Sequence, residues 1–158
     1  QVLQEEGITT ESNRYLLWGR YFACQKDWTQ ALSKYLEAGW TTGSWVSIHP
    51  ATAMYHLGMP AEALQDLEAF IETIESYMKK NPEEMSYSDA AQASAHGHNR
   101  YNPELSQALA LSLLCHAKLH TLEDNMNSVY FDRIRKLDNL GYDTKYLRKQ
   151  IEEITSKN

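Results

Sequence analysis

Cysteine is scarce in this chain: Cys24 and Cys115 are the only two among 158 residues. Two distant thiols cannot make a disulfide framework, so both read as buried free cysteines, and a cytoplasmic origin is the expectation. Glycine (7) and proline (4) are also few, which argues against a loop-rich or low-complexity chain. No apolar run approaches the ~18 residues of a membrane span. Basic excess is missing as well: the formal net charge is −6, with Lys and Arg spread along the chain, so nothing points to a nucleic-acid surface. Period-two alternation is absent, which leaves no convincing strand. The chain reads as one without a signal or transit peptide. It begins at Gln1 rather than Met, which fits a processed chain or a fragment as well as a whole one.

Chemical motifs are missing too. There is no GxSxG elbow, no phosphate-cradling glycine loop and no dinucleotide fingerprint, so no catalytic residue is assigned. Glu68, Glu72 and Glu75 fall at helical spacing and read as a solvated face rather than paired catalytic carboxylates.

What the chain has is helical punctuation. The 42% of hydrophobic residues suffices for one domain with a sizeable core. A first helix is expected over residues 10–24, capped by Thr9 or Thr10. Asp27 caps a second, which Gly39 stops. A third, over 44–57, has Pro50 early in it, marking its true first turn, and is closed by Gly58. Pro60 opens a fourth, which runs to about residue 80, before Pro82. The polar stretch 80–104 is a long loop or holds a short helix near 89–95. A fifth helix over 103–120, apolar almost all round, is the most buried. A sixth follows over 124–140, ending at Gly141, and a seventh over 144–156.

A 32-residue echo runs through the first half. Gly19, Phe22, Ala31, Tyr35 and Ala38 are followed at that spacing by Ala51, Met54, Ala63, Leu67 and Phe70. Small residues at such places let antiparallel helices approach, and larger ones fill the gap to the next pair. This pattern resembles the tetratricopeptide repeat, well over residues 12–43 and less closely over 44–76, where Phe70 stands in place of a small residue. The proline that often ends a unit is missing from both.

The resemblance implies an all-α fold: antiparallel hairpins stacked as a short right-handed superhelix, in one domain over 1–158. On that reading 103–140 is a diverged third pair and 144–156 a capping helix. It also implies a non-catalytic scaffold or adaptor that binds another protein or a peptide. It leaves room for homo-oligomers and calls for no cofactor or metal. By the family's pattern the concave groove is lined by Asn13, Leu16, Arg20 and Ala23, then Trp45, Ile48, Thr52 and Tyr55. Leu16 and Arg20 do not match the Lys and Asn clamp with which some members hold a C-terminal carboxylate. The groove would instead be aromatic and apolar, with Arg20 as its positive anchor, since aromatic and Arg side chains are the usual interface anchors; the rival reading packs Trp45 and Tyr55 under the polar loop, as core.

Most of the aromatic residues in 15–45 are expected in the core, with Trp40 and Trp45 as candidates for partner contact. A second reading gathers His96, His98, His116 and His120 into a metal or small-ligand site, and hence an enzyme, because neutral imidazole ligates zinc. His116 and His120 stand at i and i+4, so a continuing helix would put them on one face. The rival reading makes Ser112, His116 and His120 the polar stripe of a buried helix.

Overall fold

The computed structural model describes residues 2–39, 48–79, 83, 86, 103–122 and 127–157, without the side chains of 2–10, 12, 13, 77, 103 and 127. Among them it is all-α: α1 (Val2–Cys24), α2 (Trp28–Glu37), α3 (His49–His56), α4 (Pro60–Lys79), α5 (Pro103–Lys118), α6 (Asn127–Asn139) and α7 (Thr144–Ser156). Each helix packs on the next up to α6, and α7 returns onto α5 and, more lightly, α6. The expected short helix at 89–95 lies outside the described residues, as do Trp40 and Trp45.

Local chemistry explains the corners. The Asp27 carboxylate accepts from the Gln30 backbone N–H at 3.2 Å, satisfying one of the orphan donors at the start of α2. After α1, the chain reverses through Lys26 at φ 59°, with the Asp27 N–H donating to the Phe22 carbonyl at 2.9 Å. Thirty-two residues on, Gly58 at φ 76° does the same, and the Met59 N–H donates to the Met54 carbonyl at 2.9 Å. Both are Schellman closures with a left-handed residue. His120 closes α5 in the same way at φ 56°, with the Thr121 N–H donating to the His116 carbonyl at 3.1 Å.

The start of α1 differs from expectation, and the second helices of the two echoed units differ in length. α1 runs through Thr9 and Thr10 without a break, so neither caps it. α4 has 20 residues where α2 has 10. The position 32 residues after Gly39 is Ile71, which is buried and continues the helix instead of ending it.

The echoed positions share their burial. Ala31, Tyr35 and Ala38 in α2 and its cap are buried, and so are Ala63, Leu67 and Phe70 in α4. Gly19 and Ala51 are buried as well. A Cβ on Gly19 would lie 2.4 Å from the Tyr35 ring, so only glycine permits the observed approach of α1 to α2.

The main core joins α3 to α7 through Leu67, Phe70, Ile74, Leu109, Leu113 and Leu137, among others. A smaller cluster, Ala31, Tyr35 and Ala53 with half-buried Leu16, Phe22 and Trp28, joins α1 and α2 to α3. Several expected core residues are elsewhere. Trp18 and Tyr21 are exposed, because α1 is covered on one side only. Cys24 is exposed while Cys115 is buried, where burial first and the nearby Glu68 charge second push its thiol up to about 12.

Nor is the acidic face of α4 simply solvated. Glu68 takes two hydrogen bonds from Arg133 of α6, each 2.6 Å, and His116 of α5 lies 3.7 Å away. Arg133 also donates to Ser112 at 2.7 Å. Burial alone would raise the Glu68 carboxyl, but hydrogen bonds from His116 and Arg133, with the charge of Arg133, outweigh it and hold the group at about 2. Glu75 is paired with Lys136 at 2.9 Å. Only Glu72 of the three keeps an exposed position without an ion pair among the described residues.

Candidate functional site

Between α1 and α3 lies a cleft of about 320 Å³. The α1 wall is Arg20, Ala23 and Cys24; the α3 wall is His49 and Thr52; Trp28 and Tyr35 of α2 form its base. Its shape follows from the packing below it. Gly19 lets Tyr35 enter under α1, and the Tyr35 ring in turn stacks on His49, with centroids 5.9 Å apart and planes at 22°. Trp28 follows the Asp27 cap directly and stacks on His56 of α3 at 4.1 Å and 11°, fixing the other end.

Among the described residues no carboxylate lines the cleft. Arg20 is exposed and makes no ion pair with any described residue. Burial lowers the pKa of His49, the Arg20 charge lowers it further, and Glu104 opposes both. His49 is therefore neutral at pH 7, and Arg20 is the cation of the cleft. Burial raises the pKa of Tyr35, against the pull of Arg20, and keeps its hydroxyl protonated. In a chain of net charge −6, this is an aromatic cleft with one guanidinium at its rim.

The residues expected in a groove divide accordingly. Arg20, Ala23 and Thr52 meet in the cleft. Arg20 and Thr52 are 32 residues apart, one on each wall. The Thr52 hydroxyl donates to the Ile48 carbonyl at 2.9 Å, which leaves its methyl for the cleft. Leu16 is half-buried in the small cluster rather than in the cleft. Ile48 is a correction: it is 7% exposed and belongs to the main core, where burying its aliphatic side chain is favoured over a place in an open cleft. Tyr55 is half-buried and is not among the residues that line the cleft. It packs on the main core and borders a separate space of about 340 Å³ beside Lys118, His120 and Gln150. The Asn13 side chain and all of Trp45 lie outside the described residues.

Sequence reasoning missed Trp28 and His49 as cleft residues. The signal was local: each stands at a helix start, next to Asp27 and Pro50.

The two described histidines of the expected set, His116 and His120, do not pair. His96 and His98 lie outside the described residues. α5 ends at Lys118 and His120 adopts a left-handed conformation, so the i, i+4 relation to His116 is broken. His116 holds Thr121 at 2.7 Å through Nδ1 and faces Glu68 through Nε2. Among the described residues no group of three or more His, Cys, Asp or Glu is placed to hold a metal ion. No described helix is long and apolar enough to cross a membrane.

No protein-family model, no curated protein and no solved structure matches the chain.

Proposed function

We propose that the chain is a non-catalytic module that binds a protein or peptide segment, built from stacked hairpins of the tetratricopeptide kind. The observation that carries this reading is the cleft itself: Arg20 and Thr52, equivalent in the 32-residue echo, line it from opposite walls. Matching burial at Ala31 and Ala63, at Tyr35 and Leu67, and matching Schellman corners at Lys26 and Gly58 support the repeat. The corner at His120 supports a third pair made of α5 and α6. The sequence offers no nucleophile motif or phosphate loop to set against a binding role.

An extended segment fits such a cleft if it lays an apolar side chain on Trp28 and Ala23 and meets Arg20 with a polar or acidic group. Affinity would then rest on a few anchors.

The test is selection of peptides from a displayed random library on the purified chain, followed by calorimetry on the best ones. Arg20→Ala and Trp28→Ala are expected to weaken binding at least about fivefold each, as truncated anchors do. Trp45→Ala tests the groove residue outside the described part. Glu72→Ala, on the exposed face of α4, is expected to change nothing. Selected peptides that bind Arg20→Ala and Trp28→Ala as tightly as wild type would refute the assignment.

A further inference from the structure

The cleft between α1 and α3 is chemically unequal along its length. His49 opens α3 and stacks on Tyr35, and His56 closes α3 and stacks on Trp28. Helix α3 thus runs from one end of the cleft to the other. Arg20 belongs to the first end, where its charge acts on both Tyr35 and His49. Ala23 and Trp28 give the second end its apolar surface.

The charge at the first end is single. Among the described lining residues Arg20 is the one cation at pH 7, and none is a carboxylate. Two acidic groups stand around the cleft without lining it. Asp27 accepts from the backbone and side-chain nitrogens of Gln30, each at 3.2 Å, and Glu104 acts on His49 from outside. The stretch 40–47, which joins α2 to α3 in sequence, contains no Asp, Glu, Lys or Arg. Thr52 gives its hydroxyl proton to the Ile48 carbonyl at 2.9 Å and so has no donor left for an anion.

We infer, resting on the segment-binding role proposed above, that the occupant is an extended segment with an Asp or Glu two residues from an apolar side chain. Its carboxylate meets Arg20, whose guanidinium can offer two parallel N–H donors, and its apolar side chain covers Ala23 and Trp28. The spacing follows from length. Side chains i and i+2 of an extended segment share a face about 6.6 Å apart, whereas adjacent ones point to opposite sides. From Arg20 to Cys24 the α1 wall is four residues, or about 6 Å, long. The single cation also sets the kind of anion: it balances a carboxylate, and leaves a phosphoryl group of nearly two charges half compensated.

The test displays random octapeptides between two constant flanks, so that none has a free terminus, and selects them in parallel on the wild-type chain and on Arg20→Glu. Arg20 is exposed, and an unchanged melting temperature confirms that the variant folds. Wild type is expected to enrich Asp or Glu two residues from an aliphatic or aromatic residue, and Arg20→Glu to enrich Lys or Arg at the same place. In synthetic, end-capped copies of the wild-type peptides, replacing the acid by its amide is expected to weaken binding about threefold to fivefold, and Arg20→Gln to erase that difference. Phosphoserine in place of the acid is expected to bind no more tightly. Peptides that need Trp28 but show no acidic preference, or keep it on Arg20→Glu, overturn this inference and leave the segment-binding role standing. Tighter binding of the phosphoserine form overturns the choice of a carboxylate. If no peptide is selected at all, both readings fall.

Discussion

The α1–α2 hairpin and the α4–α7 body are held by different means. The hairpin depends on one close fit, the Tyr35 ring under Gly19, together with a small cluster and the Lys34 ammonium 5.2 Å from the Trp18 ring. The body has a continuous aliphatic core, and across its seam Arg133 and Lys136 of α6 pair with Glu68 and Glu75 of α4. Helix α3 is the shared wall: Ala53 belongs to the small cluster, and Ile48 and Ala51 to the large one. The difference teaches where disturbance stays local. A fit between two shapes is lost at one position, whereas a distributed core spreads any loss through every helix that borders it.

The largest test strikes the body. Phe70 is fully buried, so Phe70→Ala is expected to cost about 3–5 kcal/mol and to lower hydrogen-exchange protection in every helix from α3 to α7. Protection lost in α4 alone would show that the body is not one cooperative unit.

Next comes the hairpin. In Gly19→Val the added atoms meet the Tyr35 ring, and overpacking of this kind costs about 1–3 kcal/mol. Here the loss of protection is expected in α1 and α2, with α5 to α7 unchanged. Ala31→Leu, at a fully buried position of α2, is expected to behave alike and within the same range. A uniform loss across all helices would erase the contrast between the two regions.

The third concerns the seam. Glu68 titrates near 2 in the folded chain against 4.5 for an unperturbed carboxyl. A depressed folded value means that its contribution is complete above about 4.5 and is lost as pH falls toward 2. The Glu68 side chain is 42% exposed, so solvent screening reduces what the pair is worth. Arg133→Met is expected to cost about 1–2 kcal/mol at pH 7, less than a fully buried pair would, and to flatten the melting temperature between pH 4.5 and pH 2.5. An unchanged acid profile in this variant would remove Arg133 as the cause.

The smallest effect has the opposite sign. Lys26 occupies a left-handed conformation that Gly58 holds at the equivalent corner. Lys26→Gly is expected to stabilise the chain by about 0.5–1 kcal/mol, and Gly58→Ala to destabilise it by a similar amount. If denaturant midpoints move the same way in both, the two corners are not equivalent.

How much was legible followed the range of each interaction. Asp27, Gly39, Gly58, Pro60 and Gly141 mark real helix ends, because capping and left-handed turns act within a few residues. The corner at His120 was not legible, since histidine carries no turn signature of its own. Arg20 and Thr52, chosen through a 32-residue spacing, line the cleft, whereas of the others chosen by the same spacing Ile48 is in the core and Tyr55 packs half-buried against it.

The sequence by itself determined that this is a helical chain, and where most of its described helices start and stop. Capping, glycine placement and apolar periodicity settle those locally. Only the tertiary structure decided which of two similar cysteines is buried, that Glu68 and Glu75 are interhelix partners rather than a solvated face, and that Trp28 and His49 share a cleft with Arg20. Each of those depends on which other helix lies opposite. That choice is made by long-range packing of the whole chain, which no short stretch of residues encodes.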